Sequence, residues 1–455
     1  MQKGEIIVSE LKKLEEQLNS FDGTLRRHVL EELSERYRHI LPQEGTNINM
    51  HFHSFFSYNS EWYSPSRVAW ESAKKGLYAA GLCDFDVLEG LEEFLHAGTV
   101  LRLRTTVNIE TRAFIEEYAD VDVNSPGEQG VVYIMGAGFF ETPGENSPQR
   151  NVLLDYGRRA QVRNIGLVER INKKIPDIEI DYAKDVLPLT PAGGATERHV
   201  VRAYVRKAKA VFVSEQKIAE FWSDILGVRI EDTLALLSDT PSLEDAVRAR
   251  LVKRGGIGYR KPDRATFPPV ETFISWVLSC GAIPMITWLD GTSEAEKNGR
   301  EMLECMKAKG AAALNIIPDR NWNISDAAER ELKISKLDEI VSHAEEMGLP
   351  LNIGTEMNKA GLPFVDDLDA APLRKHKEVF LRGAQIMVGH TLCAKYAGYP
   401  YTGIQAEADF PRIADKNRFF AAVGRIPAID AGRARELERM GKKNAFEWMH
   451  SHSSE

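Results

Sequence analysis

Apolar residues along this chain recur at two spacings, and the switches between them predict its elements. Ile7, Leu11, Leu14 and Leu18 fall three or four residues apart, Phe21-Asp22-Gly23-Thr24 interrupts, and Leu25, Val29 and Leu33 resume the spacing. The pattern predicts a helix pair ending near Pro42 and Gly45. Its apolar stripe suits packing on the body of the protein or pairing with a second copy, as a homo-oligomer.

Beyond it one arrangement recurs: an amphipathic helix, a glycine, a short apolar run, and an acid. It reads Pro65 to Lys75, Gly76, Leu77 to Cys83 and Asp84, and again Val270 to Cys280, Gly281, Ile283 to Leu289 and Asp290. A third copy is Met302 to Lys309, Gly310, Ala311 to Ile317 and Asp319; a fourth is Ile334 to Met347, Gly348, Leu349 to Ile353 and Glu356. Glycine past each helix is the expected left-handed cap. Such units predict an α/β fold with a parallel sheet covered on both faces.

Between about residues 200 and 266 the pattern turns helical, with Val213 to Leu226, Ile230 to Leu237 and Leu243 to Val252 as candidates, which predicts an insertion after one strand. It ends in Lys253-Arg254-Gly255-Gly256-Ile257-Gly258-Tyr259-Arg260-Lys261-Pro262. Glycines let backbone N–H groups approach an anion, although the loop lacks phosphate-loop spacing, and a surface turn is the plainer reading. Folded over a site, it would be a lid that brings Arg260 or Lys261 to a substrate.

Composition narrows the class. The 455 residues can bury a large core, and 67 Asp and Glu against 58 Lys and Arg argue against nucleic acid as the main partner. Four scattered cysteines form no Cys-x-x-Cys pair and read as reduced core thiols. No apolar signal core and no bilayer-length apolar stretch is visible, so the expectation is a cytoplasmic protein without a membrane partner.

Candidate chemistry begins at Asn49-Met50-His51-Phe52-His53-Ser54. On a strand, His51 and His53 project to one face as half of a metal site, although a bare His-x-His also occurs on ordinary strands. Active sites of α/β folds gather at the carboxyl ends of parallel strands. Asp84, Asp290, Asp319 and Glu356, with Glu110 at the end of Thr105 to Ile109, are therefore expected to share one rim. Helix capping is the plainer role of such acids, and the preferred one for Asp86 and Asp326. Crowded carboxylates repel unless a cation offsets them, which a divalent metal would do.

The run His51-Phe52-His53-Ser54, then Asp84-Phe85-Asp86, Glu110, and Gly354-Thr355-Glu356-Met357-Asn358, resembles in order and spacing the PHP (polymerase and histidinol phosphatase) family of metal-dependent phosphoesterases. The resemblance runs from about Thr46 to beyond Glu356. It implies a distorted, TIM-like (β/α)7 barrel over residues 46–455, with residues 1–45 as an N-terminal helical extension and the helical insertion at about 200–266. It also implies a metal cluster at the strand ends. Where full members carry ligand histidines or an aspartate, this chain has Asn59, Phe85, Glu356 and Asn358, and none in Val131 to Gly136. Three of those losses fall on one implied metal. The surviving set is His51, His53, Glu110 and Glu356, a donor set that suits zinc, manganese or iron. A second ion would need Glu110 as a bridge and His199 as a further ligand. His199 reads equally as the first-turn residue of a helix through Val200, Tyr204 and Ala208.

The functional expectation is a hydrolase of a small phosphorylated substrate through a metal-activated water. Asp84 or His199 would take or relay the proton, with Arg198 and Arg320 offsetting phosphate charge. Arg320, Asn321, Arg260, Lys261 and His390 are the candidate substrate contacts, the first two from the loop Pro318 to Asn323; Arg112 is a further rim cation. A metal-dependent ester or amide hydrolase and a non-catalytic binding protein on the same barrel are the alternatives.

Overall fold

The computed structural model describes the backbone of residues 2–453 and the side chains of residues 9–453. Ile7, assigned above to the first apolar stripe, has its side chain outside the described residues. Helices α1 (Gln2–Gln17) and α2 (Gly23–Tyr37) form the expected pair, with Asp22 capping α2 through the N–H groups of Thr24 and Leu25. Leu14, Leu18, Val29, Leu30 and Leu33 are buried in the main core, so the stripe packs on the body of the protein.

Then follow β1 (Ile48–Phe52), α3 (Pro65–Lys74), β2 (Ala79–Phe85), α4 (Leu91–Leu101), β3 (Arg104–Phe114) and β4 (Val131–Ala137). A long excursion carries α5 (Pro148–Asn172), α6 (Glu197–Val211), α7 (Glu215–Leu226), α8 (Ile230–Ser238) and α9 (Thr240–Leu251). The chain returns through α10 (Val270–Ser279), β5 (Ile283–Trp288), α11 (Gly299–Ala308), β6 (Ala313–Ile316), the single turn α12 (Asp319–Trp322), α13 (Ala327–Glu346) and β7 (Leu351–Ile353). Helices α14 (Ala371–Arg374), α15 (Lys377–Leu392), α16 (Ile404–Asp409), α17 (Ile413–Arg425), α18 (Ala431–Met440) and α19 (Lys442–His452) finish it.

The seven strands pair in sequence order, β1 to β7. Phe52 bridges Glu356 in parallel; the Glu356 N–H donates to the His51 carbonyl (2.8 Å) and the His53 N–H to the Glu356 carbonyl (2.9 Å). The sheet is thus a nearly closed, distorted TIM-like barrel. The strands are buried on both faces, β1 at every position, as a sheet wrapped in helices requires, with Asn49, His51, Asn108, Glu110, Asn315 and Asn352 among the buried polar strand residues.

One strand departs from the expected parallel order. β4 runs antiparallel to both β3 and β5. Its amino end, at Tyr133, therefore lies on the rim where the parallel strands end, and its carboxyl end lies on the opposite rim. α5, about 37 Å long at 1.5 Å per residue, starts near that opposite rim, where the Trp276 indole N–H donates to the Gln149 carbonyl. Its first half buries Leu153 and Tyr156 in the barrel core. Its second half buries Leu167, Val168 and Ile171 in a separate core that runs to Val252. The helical addition is therefore rooted inside α5, earlier than the sequence pattern suggests.

Candidate metal centre

β1 presents His51 and His53 on one face, and β3 presents Glu110 beside them. Glu110 Oε2 lies 3.7 Å from Nε2 of each imidazole, and the three ligand atoms lie within 4.8 Å of one another. All three residues are buried, and none of these three atoms has a hydrogen-bond partner among the described residues.

The other ring nitrogens decide what the inward-facing ones carry. His53 Nδ1 lies 3.1 Å from Ser57 Oγ, whose own proton goes to Asp84 Oδ1 at 2.6 Å. Ser57 therefore accepts from His53, which places that proton on Nδ1 and leaves Nε2 as a lone pair. Likewise His51 Nδ1 faces Asn315 Oδ1 at 3.3 Å, an oxygen already fixed as acceptor by the Asn352 amide at 2.8 Å. Two imidazole lone pairs and a carboxylate oxygen thus converge, unsatisfied, in a buried space. Buried polar atoms seldom go without partners, because each costs on the order of 1–3 kcal/mol. A divalent cation satisfies all three at once. Ligand atoms bound at 2.0–2.2 Å to one ion sit roughly 3.3 Å apart, close to the 3.7 Å separations here. The residues fit a metal.

The electrostatics agree in part. Burial, reinforced by His51, Arg320 and Arg198, holds His53 well below the usual imidazole range. For His51 burial acts the same way but is outweighed by the Cys83 thiol and Glu110, so its value is raised and an ion there competes with a proton. Burial also raises Glu110 against the pull of His51.

Several expected members stand elsewhere. Glu356 is outside the three-atom group because its Oε2 pairs with the Arg320 guanidinium. Its backbone is left-handed (φ 63°), as is that of Met357 (φ 54°), a strained seam at the barrel's closure. Asp84 does not face the cavity over the site: its oxygens accept from the Ser54 amide, the Ser54 hydroxyl and the Ser57 hydroxyl, and burial raises its pKa to about 6. It positions His53 through Ser57. His199 is also outside the group. Its Nδ1 accepts the Thr196 N–H in a capping box on α6, and its ring lies edge-on to Tyr58 and Trp62. The buried ring is pushed down to about 3, so it is neutral. Its Nε2 has no hydrogen-bond partner among the described residues and faces neither Glu110 nor the imidazole pair at ligand distance.

His390 lies at the far end of the barrel, beside the carboxyl end of the antiparallel β4. Its Nε2–H donates to the Gly138 carbonyl just past the carboxyl end of β4, and its Nδ1 accepts the Tyr401 N–H. Asn321 turns inward, its amide donating to the Ile317 carbonyl, and is fully buried. Asp290 pairs with Lys333, and neither Asp290 nor Asp319 reaches the cavity wall. Asp326 caps α13 as expected, but Asp86 caps nothing. It accepts from the Thr111 hydroxyl and lies 3.6 Å from Arg163.

Glu110, Arg320 and Glu356 face a cavity of about 1570 Å³ that opens between the barrel rim and the helical addition. Arg198, Arg112, Arg260 and Lys261 also line it. Arg198 is held by Asp245 at 3.0 Å and Arg112 by Glu128 at 2.9 Å; the Lys261 ammonium donates to Gln129. Phe85, standing where the resembled family has a ligand histidine, stacks on the His53 ring at 4.6 Å. Asn59 holds the loop after β1, donating to the His53 carbonyl and accepting the Glu61 and Tyr63 amides.

No family model matches the chain, and no curated protein does. Among solved structures it is similar to a protein from Bifidobacterium adolescentis assigned as a metal-dependent phosphoesterase, at 19% identity and a TM-score of 0.45, covering 74% of this chain and 96% of that one. It is also similar to an amidohydrolase from Chromobacterium violaceum with bound sulfate and no metal, at 15% identity and a TM-score of 0.46, covering 73% and 96%.

Proposed function

We propose that the protein is a metal-dependent hydrolase acting on a phosphate ester. The observation that carries this is the convergence of three buried, unpartnered acceptors, His51 Nε2, His53 Nε2 and Glu110 Oε2. These residues would hold one divalent ion, with zinc, manganese and iron all suited to the donor set. A bound ion there supplies Lewis acidity, lowering the pKa of water and polarising a phosphoryl oxygen.

The chain's own groups do the rest. Ser57 and Asp84 fix the tautomer and orientation of His53, and Asn315 and Asn352 do so for His51. Arg320 and Arg198 offer guanidinium donors to an anionic substrate in the cavity. Arg320 would exchange its Glu356 partner for phosphate oxygens, freeing that carboxylate to act as a fourth ligand or to hold a proton. A phosphate ester is favoured over a neutral ester or amide because Lys and Arg outnumber Asp and Glu two to one on the cavity wall, in a chain of net charge −9.

The test is elemental analysis of the purified protein beside hydrolysis of p-nitrophenyl phosphate and a panel of carboxylic esters. About one ion per chain, lost in His51→Ala and Glu110→Gln together with phosphatase turnover, is the expected result. Turnover of esters alone would replace the phosphoesterase reading with an ester hydrolase. No metal and no turnover would leave a binding protein.

A further inference from the structure

The cavity is larger than the roughly 300–1,000 Å³ that serves a drug-sized ligand, so a small monophosphate would leave much of it empty. The part beyond the metal centre is built around Phe267. The guanidinium carbons of Arg112 and Arg163 lie 4.5 and 4.8 Å from its ring centroid. Arg112 reaches there from β3, two residues beyond Glu110 and so on the same face of the strand, about 7 Å along it. Arg163 comes from the middle of α5, where that helix lines the cavity.

Arg163 is poorly compensated. Among the described residues one carboxylate lies within ion-pair distance, Asp86 at 3.6 Å, which already holds the Thr111 hydroxyl; Glu128 acts from farther off, and the guanidinium makes no hydrogen bond among the described residues. Burial draws its pKa down to about 10, which Asp86 opposes and Arg112 deepens. A guanidinium carries five donors in a planar fork that matches phosphate or carboxylate oxygens, and here no hydrogen bond among the described residues uses them, on a cavity wall. Between this pair and the metal centre, Phe85 and Tyr133 stand 6.2 Å apart and form an aromatic floor.

We infer that Arg112 and Arg163 form a second anion subsite, and that the substrate is a bis-anionic ester. One phosphate sits over His51, His53 and Glu110; a second phosphate or carboxylate, roughly 7–10 Å from the first, is bound between the two arginines. This rests on the hydrolase reading for its chemistry but not for its binding. The rim cations then fall into two pairs, Arg320 and Arg198 attending the reacting group, and Arg112 and Arg163 the distal one.

Equilibrium binding to the full-length protein, without added metal, tests the subsite apart from turnover. The probes are pentyl phosphate, pentane-1,5-diol bisphosphate and 5-carboxypentyl phosphate, measured by calorimetry with wild type, Arg163→Gln and Arg163→Lys. The expected result is that a bis-anion binds at least tenfold more tightly than pentyl phosphate. That ratio should collapse toward one in Arg163→Gln and fall partly in Arg163→Lys, each variant keeping a cooperative melt. Whether the bisphosphate or the carboxylate shows the larger ratio identifies the distal group. Equal binding of all three probes to wild type, or a ratio unmoved by both variants, would overturn the subsite. If the ratio behaves as expected while no metal-loaded form hydrolyses any ester, the hydrolase reading fails and the subsite stands.

Discussion

Asp84 shows how a buried side chain can govern a site it does not line. It holds Ser57, Ser57 accepts from His53, and His53 is thereby left with its Nε2 lone pair facing Glu110. Outer partners of this kind set ligand orientation, and their loss commonly costs 10–100-fold in metal affinity. Asp84→Asn should therefore weaken metal binding by about that factor while leaving the fold intact, read by competition with a chelator. An unchanged affinity would show that Ser57 alone suffices. A second residue-scale expectation concerns His390, held neutral between the Gly138 carbonyl and the Tyr401 N–H and pushed down to about 4 by burial. With a folded value below the unfolded value near 6.5, the unfolded chain binds the extra proton across that interval. Its contribution is complete above pH 6.5 and declines as pH falls toward 4, by up to about 3 kcal/mol in all. Denaturant titrations at pH 7 and 4.5 should show the loss, and His390→Gln should flatten it.

At the scale of elements, α15 and α17 cross closely enough to exclude side chains. A Cβ on Gly389 would lie 1.9 Å from the Phe420 carbonyl oxygen, and one on Gly424 would lie 1.8 Å from that of Gln385. Backbone cannot yield as a flexible side chain does, so Gly424→Ala should destabilise by about 1–3 kcal/mol or more, measured as a fall in denaturation midpoint. A midpoint within error of wild type would mean that the two helices slide apart freely. The helix–glycine–strand units around β2, β5, β6 and β7 were legible in sequence because each has a periodic stripe, a left-handed glycine and a short apolar run. The direction of β4 was not legible, since the apolar pattern of a strand carries no polarity. That hidden reversal is what put Gly138, the partner of His390, on the far rim and brought Tyr133 to the near one. α5 left no clear stripe because it changes partners halfway: Leu153 and Tyr156 face one core, and Leu167 to Ile171 face another. His51, His53 and Glu110 were readable from strand alternation and motif order. Arg163 was not, since its place depends on α5 reaching across to Phe267.

Across the whole molecule, charge is distributed against its sum. A chain of net charge −9 encloses a cavity where cations outnumber acids two to one. Such a field draws anions inward and repels them elsewhere, and it is screened over about 10 Å at 0.1 M salt. For an anionic ester, kcat/KM should fall several-fold between about 0.02 and 0.2 M salt, with kcat nearly constant, in a steady-state salt series. A salt-independent kcat/KM would mean that the interior charge is already neutralised by the acids interleaved with it.

The rod-like α5, seated in both cores, constrains any attempt to graft or trim the helical addition. A single residue inserted between Gly157 and Arg163 would rotate everything beyond it by about 100°. The distal guanidinium would swing away from Phe267, and one hydrophobic seat or the other would be lost. Viable grafts should keep that stretch at its native length, because even seven added residues, two turns that nearly restore the phase, would carry everything beyond them about 10 Å along the axis.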